Sequence, residues 1–115
     1  MGAGKGNRLQ GIAASAGSYS GTARVLRRAA EIDDLVDGEV LVVRASDPTW
    51  TVGMLRSGAI VTELGGPICH AAIVARELGL PAVVAVENVT QVVATGARVT
   101  VDGAEGTVSI QLTDV

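Results

Sequence analysis

The sequence predicts an α/β fold in which a parallel central sheet carries short helices and is joined by an additional antiparallel sheet. First, short apolar runs rich in β-branched residues recur, as expected of strands that are buried on both faces. Second, helix-start and helix-stop residues separate these runs, and strands connected by short helices pair in parallel through right-handed crossovers. Third, the end of the chain alternates polar and apolar residues like a hairpin.

The composition limits the classes of partner and cofactor. Of 115 residues none is Phe, one is Trp and one is Tyr, so small aliphatic side chains must fill the core. A net charge of −3 gives no electrostatic footprint for nucleic acid or an anionic membrane surface. One Cys and one His cannot assemble a zinc site, so we expect no metal. No apolar stretch approaches about 18 residues, so we expect a cytoplasmic protein without a membrane partner.

The chain divides into a tail and one domain. Residues 1–8 are Gly-rich and cannot bury much surface, so we predict a flexible tail there. Residues 9–115 form a single domain by the usual size of folding units.

The first half of the domain contains two predicted strands and a helix. Glycine-punctuated residues lead into a strand at 22–26, and a short acidic helix or loop follows at 29–37. The near-continuous apolar run 39–44 is the first central strand. Asp47 and Pro48 then open a helix that runs to about Arg56, because Asp can cap the free amides and Pro is tolerated at the first helical position.

The second half repeats the pattern around a glycine pair. A buried strand at 58–62 leads through the glycines to a helix that begins at His70 and stops at Gly79. A third buried strand at 82–86 precedes a short helix from about Asn88. The segments 98–102 and 107–110 form the hairpin.

His70 is the candidate catalytic residue. A helix start offers unpaired amides and the positive end of the macrodipole, which favour a phosphate-sized anion. A neutral imidazole is itself nucleophilic near neutral pH, and Gly65 and Gly66 remove side chains from its approach. At 100° per residue, Ile73 and Glu77 share the face of His70, while the opposite flank packs on the sheet.

Other interpretations of these residues stay open. A single histidine at a helix start is commonly a structural residue, whereas Cys69 and His70 point about 100° apart and are unlike a thiol–imidazole dyad. Arg76 lies about 240° around the helix from His70, so docking or a structural ion pair is expected of it. Glu77 has a similar interpretation, and Trp50 is most simply a core or interface aromatic.

The run from the glycine pair through the His70 helix resembles the phosphohistidine signature of phosphoenolpyruvate (PEP)-utilising enzymes. The matching residues are Gly65-Gly66, Cys69-His70-Ala71-Ala72-Ile73-Val74-Ala75-Arg76-Glu77-Leu78 and Gly79-Leu80-Pro81. Residues 11–17, 47–50, 101–103 and 106–108 resemble the same mobile domain, which has a swivelling, three-layer β/β/α fold. The resemblance implies that His70 is phosphorylated and that Gly65, Gly66, Cys69 and Ala71 form the phosphate environment. A cysteine at position 69 looks most like phosphoenolpyruvate synthase.

The resemblance also implies partners. The chain contains neither an ATP-grasp nucleotide domain nor a barrel for PEP or pyruvate, so Mg²⁺ and ATP or PEP are expected at partner domains in trans and no cofactor on this chain. The leading hypothesis is a free-standing phosphohistidine carrier that acts as a component of a phosphotransferase. The alternative is a binding or regulatory module that docks onto a larger phosphotransferase. A purely structural domain with a buried His70 is the third possibility.

Overall fold

A computed structural model describes residues 8–111, which form eight strands and several short helices. The strands are β1 (Arg8–Gln10), β2 (Ile12–Ser15), β3 (Ser18–Val25), β4 (Val40–Val43), β5 (Ala59–Thr62), β6 (Ala82–Val84), β7 (Arg98–Asp102) and β8 (Thr107–Gln111). The α-helices are α1 (Thr51–Arg56), α2 (His70–Leu78) and α3 (Val89–Val92), and 3-10 turns cover Ala29–Asp34 and Pro48–Trp50.

The strands follow the order β1-β8-β7-β3-β4-β5-β6-β2. Strands β3 to β6 pair in parallel, and β2 closes their far side antiparallel to β6. Strands β7, β8 and β1 continue antiparallel from the other side of β3. The long strand β3 therefore belongs to both the parallel and the antiparallel parts.

Two apolar clusters lie on opposite faces of the parallel strands, because alternate residues of a strand point to opposite sides. Leu41, Val43 and Ile60 face the helices and belong to one cluster with the alanines of α2. Val40, Val42 and Val61 face the antiparallel strands, whose contribution includes Val99, Val101 and Val108. The layers are thus antiparallel sheet, parallel sheet and helices, and the predicted α/β class and three-layer arrangement are confirmed.

The central strands and the hairpin lie where the sequence predicts them, within one or two residues. All four residues of β4 and of β5 are buried, in agreement with their continuous apolar runs. Strand β6 stops at Val84, two residues earlier than predicted, because Ala85 adopts a left-handed conformation (φ 58°) that ends the extended backbone.

The N-terminal strands differ from the prediction. Strand β3 begins at Ser18 rather than at residue 22, since its first five residues pair with β7. Strands β1 and β2 were not predicted; they are short and flank Gly11, and they form by pairing with β8 and β6. Of the predicted tail, Arg8 is the first residue of β1 and residues 1–7 lie outside the described part.

An ion pair fixes the start of the parallel sheet. Arg24 on β3 donates from Nε and Nη2 to the two carboxylate oxygens of Glu39, at 2.9 and 3.0 Å. Hydrogen bonding from Arg24 lowers the pKa of Glu39 against the opposing effect of burial. The amide of Val36 also donates to Glu39, at 2.9 Å.

The helices between residues 8 and 111 are short. The longest, α2, has nine residues, and none has the length and apolar character needed to cross a bilayer.

Candidate functional site

His70 is the first residue of α2 and lies beyond the carboxyl end of β5. Its Nδ1 atom is hydrogen-bonded to Oγ of Ser46, 2.9 Å away, and its side chain is partly exposed. Ser46 follows β4, the parallel neighbour of β5. The site therefore forms at the carboxyl edge of the parallel strands, where α/β proteins commonly bind ligands.

The parallel register explains how Ser46 and His70 meet. Val43 and Thr62 are register partners at the ends of β4 and β5. The pairing then continues past the strands, since the amide of Leu64 donates to the carbonyl of Arg44 at 2.8 Å. The segments that lead to Ser46 and to His70 therefore leave the sheet side by side.

The start of α2 is not capped by a side chain. Cys69 occupies the N-cap position and makes no side-chain hydrogen bond to the helix amides. The first helical bond runs from the Ile73 amide to the Cys69 carbonyl at 3.0 Å, so the amides of residues 70–72 have no acceptor within the helix. Ala71, predicted to belong to the phosphate environment, has a buried side chain and contributes such an amide.

The two glycines of the predicted phosphate environment differ in their surroundings. Gly65 has a φ of 130°, and a Cβ there would lie 2.8 Å from Sγ of Cys69. A Cβ on Gly66 would meet no atom within 4 Å. Gly65 is thus required by the backbone and by the packing of Cys69, whereas Gly66 lies beside open space.

Arg76 spans from α2 to two other segments. Its Nε donates to the carbonyl of Ala14 at 2.8 Å, and its Nη2 donates to the carbonyl of Pro67 at 2.6 Å. The sequence suggested docking or a structural ion pair for Arg76. Both acceptors are carbonyl oxygens, so these contacts are structural hydrogen bonds and not an ion pair, and docking stays a prediction.

The remaining predicted residues lie in different environments. Trp50 is only 6% exposed and belongs to the helix-side cluster, so its ring is a core residue. Glu77 and Ile73 are exposed, consistent with the predicted outer face of α2. Ala72 is completely buried, on the side of α2 that packs on the sheet.

Sequence reasoning missed Ser46, whereas it identified Asp47 as a capping residue. Asp47 caps the following turn as predicted, accepting from the Thr49 amide at 2.9 Å. The Thr49 hydroxyl and amide lower the pKa of Asp47, and a positive charge on His70 acts in the same direction. The available signal was a hydroxyl three residues after a buried strand whose parallel neighbour leads to His70.

Hydrogen bonds to Thr90 hold Glu63 at the start of the segment between β5 and α2. Glu63, the residue after β5, accepts from the hydroxyl and amide of Thr90 at 2.6 and 3.2 Å. These hydrogen bonds lower the pKa of Glu63, to which the charge of Arg44 also contributes. The Arg44 Nε lies 3.9 Å from the carboxylate. Among residues 8–111, no group of three His, Cys, Asp or Glu side chains is arranged to hold a metal ion.

A family model identifies the class to which this fold and site belong. Residues 35–106 match the mobile domain of PEP-utilising enzymes, more than half of the chain. The chain therefore belongs to the PEP-utilising enzyme mobile-domain family.

Two relatives illustrate the range of proteins that contain a similar domain. The phosphoenolpyruvate synthase of Neisseria meningitidis serogroup B is 46% identical over 103 residues, which cover 83% of this chain and 13% of that protein. A rifampicin phosphotransferase of a Streptomyces species is 44% identical over 102 residues, or 89% of this chain and 12% of the relative. The chain thus spans about one eighth of the length of these phosphotransferases.

Solved structures show the same fold. An Enzyme I protein superposes with a TM-score of 0.62 at 38% identity, over 72% of this chain and 34% of that structure. Aconitase X of Thermococcus kodakaraensis superposes with a TM-score of 0.71 at 21% identity, over 93% of this chain and 100% of that structure. The second likeness concerns the fold alone.

Proposed function

We propose that this domain carries a phosphoryl group on Nε2 of His70, accepting it from an ATP- or PEP-using partner and passing it to an acceptor site. The proposal depends on one observation above all, the hydrogen bond between Ser46 Oγ and His70 Nδ1. This bond occupies one ring nitrogen and leaves Nε2 for chemistry. Membership of the mobile-domain family supports the same role.

The Nδ1–H tautomer makes Nε2 a nucleophile. When Nδ1–H donates to Ser46, the lone pair resides on Nε2. That lone pair forms the N–P bond while the P–O bond to the leaving group breaks, and the electron pair departs with the leaving oxygen. In the second transfer an acceptor oxygen bonds to phosphorus, and the electron pair of the N–P bond returns to Nε2. The proton on Nδ1 stays in its hydrogen bond throughout.

The start of α2 favours the phosphoryl charge. The amides of residues 70–72 have no acceptor within the helix, and the positive end of the macrodipole lies at the same place. A helix of nine residues contributes roughly 0.3–1 kcal/mol to a nearby anion in this way. Gly66, in the loop that leads to His70, is bordered by open space, which would leave room for a visiting phosphate.

We infer the partners from the longer relatives, of whose length the given chain spans 12–13%. We expect an ATP-grasp nucleotide-binding protein, a PEP- or pyruvate-binding protein, or both to act in trans. Mg²⁺ and ATP or PEP would be bound there, and this chain would bind no cofactor of its own. We place the transfer in the cytoplasm, where these phosphoryl donors are found.

Phosphorus NMR tests the proposal directly. The chain is incubated with Mg·ATP and the isolated ATP-grasp domain of a phosphoenolpyruvate synthase, and separately with phosphoramidate as a small phosphoryl donor. We expect an acid-labile phosphoramidate signal assigned to Nε2, which disappears in His70→Ala. Ser20→Ala, an exposed position in the antiparallel sheet, serves as the control and should label like wild type.

The alternative function predicts a different result. A binding or regulatory module would capture a partner that contains an ATP-grasp or a PEP-binding domain, with binding unaffected by His70→Ala and with no label on the ring. A label on any other residue would also reject the carrier proposal.

A further inference from the structure

We propose that Arg76 is a positioning residue that holds loop 65–69, the segment directly before His70, in the conformation that a phosphoryl-donating partner meets. The structural part concerns only the loop. Its consequence for transfer rests on the proposed function of His70.

The guanidinium of Arg76 joins three parts of the molecule. It donates to Ala14 at the end of β2 and to Pro67 in loop 65–69, at 2.8 and 2.6 Å. Helical side chains point toward the N-terminus of their helix, which allows Arg76 to reach a carbonyl nine residues earlier in the chain. Since the guanidinium is a planar, rigid fork, the two carbonyls are held in a fixed relation.

The loop has few other restraints. Among the hydrogen bonds of the described residues, those made by 65–68 are the bond from the Cys69 amide to the Gly66 carbonyl, at 3.2 Å, and the bond to Arg76. Ile68 is 82% exposed, and Gly66 is bordered by open space. Packing therefore holds the tip of the loop weakly, and the hydrogen bond from Arg76 is one of the few restraints on its conformation.

Both ends of the Arg76 bridge are firmly anchored. Helix α2 buries Ala71, Ala72 and Ala75 against the sheet, and Ala14 is buried in a strand that pairs with β6. The loop has the fewest restraints of the three. Loss of the fork would thus displace the loop while leaving the helix and the ring of His70, held by Ser46, in place.

Because the loop would move while the His70 ring stays in place, we expect a defect in transfer from a protein partner and not from a small donor. A protein partner must fit the surface beside His70, and a misplacement of about 1 Å lowers a transfer rate by up to roughly 100-fold. We expect Arg76→Gln to lower labelling by the ATP-grasp partner roughly 10- to 100-fold. Labelling by phosphoramidate, which needs no docking, should change less than about twofold. A general loss of stability would lower both rates together.

Hydrogen exchange measures the loop without relying on transfer. In Arg76→Gln we expect faster exchange of the Cys69 amide and its neighbours in the loop, with unchanged exchange in β4 and β5. Glu77→Gln, adjacent on the helix and without these hydrogen bonds, is the matched control. Unchanged exchange in the loop of Arg76→Gln overturns the inference, whatever the transfer assay gives.

The two assays separate the possible failures. If wild type is not labelled by either donor while the loop exchanges faster in the variant, the proposed function fails and the structural role of Arg76 stands. If both donors label Arg76→Gln at the wild-type rate, the positioning role is refuted. Should Arg76→Gln fail to fold, Arg76→Lys retains the charge and can make one of the two bonds. In Arg76→Lys, intermediate hydrogen exchange and an intermediate partner-dependent labelling rate then support the positioning role of the two guanidinium bonds. Wild-type values of both reject it.

Discussion

Removing the Ser46 hydroxyl tests the atom assignment on which the proposed phosphoryl transfer depends. In Ser46→Ala the Nδ1 atom of His70 loses the partner that lies 2.9 Å away. The proton is then free to reside on Nε2, where it removes the lone pair needed for attack on phosphorus. The substitution leaves the backbone and the helix start unchanged, so it isolates the effect on the ring.

The expected size follows from the energy of one hydrogen bond. A net contribution of about 0.5–1.5 kcal/mol is typical of such a bond, and about 1.36 kcal/mol changes a rate tenfold. This hydrogen bond favours the reactive tautomer and orientation of the ring. If Ser46→Ala loses its full contribution, phosphorylation slows roughly 2- to 12-fold. Phosphoramidate and a protein donor should show the same factor, because the defect lies in the ring rather than in docking.

Nitrogen NMR of the imidazole and the labelling rate together provide the assay. Wild type should show the Nδ1–H form of the neutral ring, and Ser46→Ala should shift the population toward Nε2–H. Ser20→Ala is the matched control, because Ser20 forms a comparable hydroxyl bond at 2.7 Å to Thr100 in the antiparallel sheet. It should leave both the tautomer and the rate unchanged.

Two results would refute this reasoning. A wild-type ring with its proton on Nε2 would show that Ser46 donates to Nδ1 and that the free nitrogen is not the nucleophile. A tautomer shift without a change in rate would show that the proton position does not limit transfer.

Four further substitutions test the fold. Gly65→Ala should cost about 1–3 kcal/mol of unfolding free energy, because its φ is 130° and its Cβ would crowd Cys69, whereas Gly66→Ala should cost less than about 0.5 kcal/mol. Denaturant unfolding measures both. The lowered pKa of Glu39 means that its pairing with Arg24 stabilises the fold above about pH 4.3, the ordinary glutamate value, and that this contribution is lost as pH falls through the lower folded-state pKa. Glu39→Gln should therefore flatten the stability profile below about pH 4.3, and an unchanged profile would exclude the pair as its cause. Ala72→Leu should destabilise by roughly 1–3 kcal/mol, since the site is fully buried, and an unchanged unfolding midpoint would contradict the tight packing of α2.

The sequence predicts best those elements whose burial is indicated by a local pattern of apolar residues. Strands β4 and β5 are continuous apolar runs, and they are fully buried in the sheet. Strands β1 and β2 lack such a pattern, because they gain their order from pairing with β8 and β6, far away in the chain. Pairing at that range depends on the completed sheet and leaves little trace in a short segment.

The same distinction applies to the site. His70, Gly65 and the helix stop at Gly79 could be found from the sequence, because each has a local conformational reason. The contact of Ser46 with His70 requires the register of two parallel strands, and the reach of Arg76 to Ala14 joins residues 62 positions apart. Neither follows from the local spacing of residues.

The alanine face of α2 connects the unusual core with the geometry of His70. Ala71, Ala72 and Ala75 are buried between helix and sheet, and their small side chains allow the helix to pack close to the strands. Close packing permits little relaxation, and the position of α2 relative to the end of β4 is correspondingly fixed. A short serine side chain after β4 can therefore reach the first residue of α2. A larger residue on this face would lift the helix and lengthen that contact, which makes the small aliphatic core a condition for the orientation of the imidazole.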